Sequence, residues 1–367
     1  MKSKRVCFLV DHSLDPRLRK RVSSFILRGY SVVVYSDTQK GEWLATSDWA
    51  KNAELREYKG LGTDLDFSIL YVSGAKVFID KFWVLRRFKK NSYIISEIPD
   101  LPLRYSNNML NVAVGWIFSL FVRSVSDSIV LTSQGFIEFF RTFNNVSFIE
   151  NIPNRELVES FKLAFNKGVS ESKCKIKLGY VGAIRYLEQL HMVLEYLYSL
   201  GDSSNIELHI YGGPINKFEG LVNKYPHFKN MINNNVFVHG PYDYENEIVQ
   251  IYSSIDVVLA NYDASQLNVR LALPNKLYES LLSQKPIIVS KKTFLSEKVK
   301  ELNIGWCVES SQQKQTTFNE QMDAIVKELK SSEFTYPQKS YFDELELQES
   351  QFFSKLESSV SFFNKNV

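Results

Sequence analysis

A lysine and a glutamate three residues apart, in LALPNKLYESLLSQKPIIVS (271–290), have the most to offer an anionic ligand. Pro274 suits the opening turn of a helix, because its fixed φ is already helical. Lys276 then sits in that turn, where the helix dipole disfavours a cation by roughly 0.3–1 kcal/mol. Glu279 follows one turn later on the same face. An anion at this helix start would gain from the free N–H groups and would neutralise Lys276. Glu279 could accept two hydrogen bonds from a vicinal diol such as ribose. Anion and diol at one helix end describe a nucleoside diphosphate. The plain alternative is a surface lysine and an exposed helical glutamate.

Other residues gather at the same level of the chain's architecture. Gly182, Gly212, Gly213 and Gly240 end apolar runs, where a missing Cβ lets a phosphate or sugar approach the backbone. Tight strand-to-helix turns explain each glycine equally well. Arg185 stands just past the first of these runs and could reach the same phosphates. Neither G-x-G-x-x-G nor G-x-x-x-x-G-K-[ST] occurs, so a nicotinamide enzyme or a P-loop NTPase is poorly supported.

The elements that must position these residues alternate strand and helix. RVCFLV (5–10), a helical pattern over 15–30 and SVVVYS (31–36) form a β-α-β unit. AKVFID (75–80), YIISE (93–97), SIVLTS (128–133) and SFIENIP (147–153) read as later strands. Residues 164–175 are polar and aperiodic, a linker. The alternation then restarts, with strands at 176–182, 206–213, 235–240, 256–261, 286–290 and 304–309 and helices between them. Two parallel, doubly wound α/β domains follow, 1–163 and 176–335, and in such sheets ligands bind beyond the carboxyl ends of the strands. Residues 336–367 should form one or two helices that pack back toward the N-terminal domain.

Composition sets the outer limits. The 367 residues are 44% hydrophobic and 23% charged, enough for two cores. Residues 1–155 hold 22 Lys and Arg against 15 Asp and Glu, whereas the rest hold 22 against 26. The basic half suits an anionic partner, or is simply a solvated basic face. Cys7, Cys174 and Cys307 are too scattered for a disulfide framework or a cysteine zinc site, which fits a reducing, cytoplasmic setting. The start, MKSKRVCFLVDHS, reads as a strand and not as a signal peptide. MLNVAVGWIFSLFV (109–122) is too short to span a bilayer and reads as a core helix, with membrane contact as the alternative. KFWVLRRFKK (81–90) mixes aromatics and cations like an interfacial helix. No nucleic-acid-binding motif stands out.

LGYVGAIRYLEQLHMVLEYL, VFVHGPYDYENEIVQIYSSIDVVLANY and above all LPNKLYESLLSQKPIIVS resemble the donor domain of GT-B glycosyltransferases, family 4 in particular. VDHSLDPRLRKRVSSFILRGYSVVVYS resembles the opening of that family's acceptor domain, and FDELELQESQFFSKL its closing helix. The resemblance implies two Rossmann-like domains facing across a cleft, and transfer of a sugar with retained configuration. It implies Glu279 on the donor ribose, Lys276 and Arg185 on the diphosphate, and Val238–Tyr242, with His239 and Tyr242, near the base. Gly182, Ala183, Gly212, Gly213, Gly240, Asn268, Arg270, Asn275 and Leu277 complete the donor side. Asp15 and Arg17 fall on the acceptor side. No metal and no cofactor are expected, since basic residues and a helix dipole would stabilise the leaving diphosphate.

Three positions depart from the family pattern. Leu271 stands where a second glutamate is common. The usual basic pair after the domain's first strand falls at Ala183 and Glu188, with Arg185 as a neighbouring substitute. The acceptor-side histidine falls near Pro99, which leaves Glu97 or Asp100 to take the attacking hydroxyl's proton. The expected partners are a nucleotide sugar, a saccharide or polyprenyl-linked saccharide acceptor, and a peripheral contact with an anionic membrane at its inner face. A UDP-sugar 2-epimerase of the same architecture is one rival, although His12, His191, His209, His227 and His239 form no obvious acid/base set and His209 reads as a core residue. A non-catalytic sugar-nucleotide-binding subunit is the other.

Overall fold

The computed structural model describes residues 4–11, 16–36, 53–58, 67–103, 108–165, 175–201, 205–331, 334, 336 and 341–366. Asp15, His12 and most of the expected linker lie outside the described residues. The chain divides into two compact units, Met1–Asn151 with Ser340–Val367, and Ile152–Lys339.

The first unit is a seven-stranded parallel sheet of order β3-β2-β1-β4-β5-β6-β7. Its strands are β1 (Arg5–Val10), β2 (Ser31–Ser36), β3 (Ala53–Glu57), β4 (Ile69–Ser73), β5 (Tyr93–Ile98), β6 (Ser128–Leu131) and β7 (Val146–Phe148). The strand order reverses between β1 and β4, so the carboxyl end of β1 is a topological switch point. One face of the sheet is covered by helix Pro16–Leu27 and by the last helix, Tyr341–Asn366. Phe8, Phe25, Tyr71, Phe352 and Phe353 fill the space between, and Phe25 meets Phe353 edge-on at 4.9 Å. Arg28 lies 3.7 Å over the Phe353 ring, and Tyr341 donates to the buried Glu150 carboxylate.

Three expectations for this unit need correction. AKVFID is not a strand but the helix Ala75–Asp80. The strand is the run before it, β4, which ends where Gly74 takes a positive φ of 98° that turns the chain into the helix. The edge strand β3, AELRE, alternates charged residues and gave no apolar signal. Finally, helix Asn108–Val125 is only half in the core: Phe118, Val122 and Val125 are buried, while Leu110, Ile117, Leu120 and Phe121 are exposed.

The second unit is a six-stranded parallel sheet of order β10-β9-β8-β11-β12-β13. Its strands are β8 (Ile176–Val181), β9 (Ile206–Tyr211), β10 (Val236–Gly240), β11 (Val257–Ala260), β12 (Ile287–Ser290) and β13 (Gly305–Val308). Strands buried on both faces, as β11 and β12 are, read as continuous apolar runs, and the half-buried edge strands β10 and β13 kept enough apolar residues to be visible too. Leu178, Leu208, Ile210 and Val236 pack under helices Leu187–Leu200, Ile215–Lys224 and Gln315–Ser331. The unit begins before residue 163, and its helix Arg155–Phe165 packs on helices Tyr244–Ser254 and Asn275–Ser283.

Candidate active site

The helix before β12 is Asn275–Ser283, nine residues with Pro274 at the N-cap. Pro274 itself offers no capping side chain, and no acid lies in the first turn. Lys276 is 8% exposed and Glu279 is fully buried. A buried carboxylate must be hydrogen-bonded, and this one has three donors. Tyr244 Oη donates to Oε1 at 3.0 Å. Tyr252 Oη donates to Oε2 at 2.5 Å, and Lys276 Nζ lies 2.9 Å from the same oxygen. Glu279 is thus not the open acceptor expected from the sequence; it holds Lys276 in place. Burial, together with the Glu279 charge, drives the Tyr242, Tyr244 and Tyr252 hydroxyls far above the usual tyrosine range, so all three stay protonated donors.

The turns after β8, β9 and β10 converge on this helix start. A Cβ on Gly182 would lie 3.5 Å from Lys276 Cε and 3.6 Å from its Nζ, so the ammonium rests against the first turn. Gly182 N–H donates to the Tyr211 carbonyl at 2.7 Å, and Gly212 N–H to the Gly240 carbonyl at 2.6 Å. A Cβ on Gly212 would collide with the Gly182 carbonyl at 1.9 Å; only glycine permits this stacking of turns. Gly213 joins Pro214 through a cis peptide and lies beside Pro241. Gly182, Gly212, Gly213, Gly240, Lys276 and Glu279 are therefore brought together.

The remaining donor-side residues are placed less tightly. Ala183 and Arg185 are exposed past β8, with Tyr180 Oη donating to the Ala183 carbonyl at 3.0 Å. Arg185 is near enough that its charge opposes the burial-driven rise of the Tyr262 hydroxyl. Asn268 and Arg270 sit on the short helix Leu267–Leu271 just upstream, and Arg270 Nε is buried without a hydrogen-bond partner. Asn275 is half-buried, and Leu277 is fully buried and packs the core. His239 is exposed at the end of the edge strand and stacks on Tyr211 at 4.1 Å.

Two features escaped the sequence reading. Half-buried Tyr244 and buried Tyr252 lie eight residues apart with buried Ile248 between them, one inward helical stripe. Tyrosines inside an otherwise apolar stripe were the available signal. The histidines do pair: His209 Nδ1 is 3.0 Å from His239 Nε2, and His209 Nε2 is 3.1 Å from Glu207, which Lys175 approaches at 2.8 Å. His209 is buried as expected, but inside a polar chain. Among the described residues no group of three or more His, Cys, Asp and Glu could hold a metal ion.

In the first unit, a cavity of about 580 Å³ opens at the carboxyl ends of β1, β4 and β5. Asp100 and Arg17 line it, with Asp11, Lys76 and Asp80. Lys76 Nζ bridges Asp11 at 2.9 Å and Asp80 at 3.4 Å. Glu97 does not share this setting. It is buried, held by Arg21 Nε at 2.9 Å and by Ser73 Oγ at 2.9 Å. Arg21 also donates to the Ile149 carbonyl at 2.9 Å. Glu97 is the counter-ion of a buried arginine and is not among the residues lining the cavity, whereas Asp100 is.

These two sheets, each with its glycine or acidic turns at a switch point, have the GT-B architecture. HepE of Anabaena, solved in complex with UDP, is 10% identical with a TM-score of 0.66, the match covering 96% of this chain and 100% of that one. Sucrose-phosphate synthase of Thermosynechococcus elongatus is 12% identical, with a TM-score of 0.63 and coverage of 97% and 100%. WaaG, a glycosyltransferase involved in lipopolysaccharide biosynthesis, is 17% identical, with a TM-score of 0.55 and coverage of 89% and 92%. No curated protein matches the chain by sequence. Residues 162–335 match the family model described as glycosyl transferases group 1, a stretch that contains the whole Gly182–Glu279 constellation. That stretch, a little under half of the chain, is what the family match covers, and the likeness to the solved structures is one of fold.

Proposed function

We propose that the protein transfers a sugar from a nucleoside diphosphate sugar to a saccharide or polyprenyl-linked saccharide. The observation that carries this reading is Lys276, an almost buried ammonium held by Glu279 against Gly182 in the first turn of a helix that opens on Pro274. A diphosphate there would meet the ammonium, the first amides of the helix and the turn after β8. Arg185, exposed past the same turn, would swing onto the outer phosphate. Ribose hydroxyls would join or replace Tyr244 on Glu279. As the sugar leaves, charge grows on the β-phosphate, and these preset donors stabilise it more than the ground state. Charge supplied by Lys276 and Arg185 makes the reaction metal-independent in this reading. Asp100 takes the proton of the attacking hydroxyl. Transfer with retained configuration, for a cell-surface polysaccharide such as capsule or O-antigen and at the inner face of a membrane, is the setting we favour.

UDP is the first nucleotide to test, since HepE was solved with it. A thermal-shift comparison of UDP, GDP, TDP and CMP should single out one nucleoside diphosphate. At 100 times its Kd it should add about 2.7 kcal/mol of stability. Glu279→Ala should weaken it by about 1.5–3 kcal/mol. No stabilisation by any of the four would end the donor-site assignment. Sugar transfer by the purified chain, undiminished by EDTA, separates an enzyme acting alone from a nucleotide-binding subunit.

A further inference from the structure

Helix Asn108–Val125 is apolar on both sides. Its inward side carries Phe118, Val122 and Val125, and beside them Asn111, Gly115 and Ser119, four residues apart. Gly115 lets it settle on Phe139, where a Cβ would lie 2.6 Å from the ring. Its outward side carries Met109, Leu110, Trp116, Ile117, Leu120 and Phe121, with Met109 83% and Leu120 62% exposed. A helix whose outer side faced only water would carry polar residues there. Helix Phe82–Phe88 extends the patch, joined through Phe82 and Phe121 rings 5.2 Å apart, and adds Trp83 at 75% exposure. A contiguous exposed apolar surface of this kind is an interaction site.

Charge identifies the occupant. Arg86, Arg87, Lys90 and Arg123 are exposed on or beside these helices. Neither helix contains an acidic residue. Two copies docked patch to patch would bring these cations together with no acid on either helix to offset them. A lipid surface offers both an apolar interior and anionic headgroups. Tryptophan and arginine suit that boundary, and Arg86 lies 5.8 Å from the Trp83 ring. No helix among the described residues is long and apolar enough to cross a membrane, so the contact is lateral.

We propose that this face of the first unit lies on an anionic membrane, with helix Asn108–Val125 immersed along its outward side and the cations of the Phe82–Phe88 region on the headgroups. The proposal rests on the transferase reading only for its purpose, which is to keep the enzyme where a lipid-linked acceptor is presented.

Co-sedimentation of the full chain with phosphatidylglycerol-containing and pure phosphatidylcholine vesicles tests it. Binding to the anionic vesicles should be at least about tenfold tighter and should weaken steeply as salt is raised. Combined Trp83→Ser, Ile117→Ser and Leu120→Ser should abolish it, as should combined Arg86→Gln, Arg87→Gln, Lys90→Gln and Arg123→Gln. Both sets change exposed positions, so the thermal shift with UDP should persist and show an intact fold. Equal binding to both vesicles, binding to neither, or a solution dimer that the serine set dissociates would overturn the proposal. Vesicle binding by a chain that ignores all four nucleotides would instead sink the donor-site reading and leave this one standing.

Discussion

Each unit places an ion pair near the carboxyl edge of its sheet, and the two pairs are opposites. In the second unit Lys276 and Glu279 are shut away from water and wired to two tyrosines. In the first unit Lys76 and Asp11 stand half-exposed at the mouth of a solvated cavity. A buried, satisfied pair is pre-organised and meets its ligand without reorganising. An exposed pair gains little in water and is free to move. Under the proposed function, the contrast corresponds to a donor side shaped before the ligand arrives and an acceptor side completed by it. The first unit's own buried pair, Arg21 with Glu97, holds the sheet edge rather than facing the cavity.

The largest effect should come from that structural pair. Arg21→Met strands the Glu97 carboxylate and should cost about 3–5 kcal/mol in the first unit's urea transition. The double variant with Glu97→Gln should recover much of the loss, and recovery of transfer with it would confirm that the pair serves the fold. Next come Lys276→Ala and Arg185→Ala. Each should lower turnover by about a hundredfold to a thousandfold, more than Glu279→Ala does. Wild-type turnover in the double variant would erase the distinction between the two edges. Asp100→Asn should lower transfer by at least about tenfold with an unchanged melting temperature. A drop in melting temperature instead would make Asp100 a second Glu97.

The smallest expected effect lies on the edge strand. Burial, then the neighbouring His209, pushes the His239 imidazole below its usual range. In the unfolded chain it protonates near 6.5, whereas in the folded one it resists, so the folded state binds fewer protons in that window. Stability should therefore fall as pH drops through about 6.5 and level off below the folded value. His239→Gln should flatten that slope in melting temperature. His191, which burial also depresses, should leave a residual slope.

The second unit was the more legible because its signals were local. Each buried strand was a continuous run, each turn carried its glycine, and Pro274 opened the helix that holds Lys276. What could not be read was long-range: Tyr244 and Tyr252 meet Glu279 across 35 and 27 residues, and Arg21 meets Glu97 across 76. In the first unit the pattern of helix Asn108–Val125 was visible but its sign was not. Asn111, Gly115 and Ser119 make a regular polar stripe, and only the packing on Phe139 shows that the stripe faces inward. Ile69–Ser73 and AKVFID are both short and apolar, and the positive φ that separates them belongs to Gly74.

The chain leaves the first unit after Asn151 and returns to it only at Ser340, so the order of synthesis and the order of completion are reversed. A ribosome adding about 5–20 residues per second needs roughly ten to forty seconds to make the stretch in between. Throughout that interval Phe25 and Tyr30 lack Phe352, Phe353 and Val360, which arrive last and close the core. The nascent first sheet is therefore the stage at which a chaperone would be needed. The second unit, encoded without interruption, can finish while the first still waits.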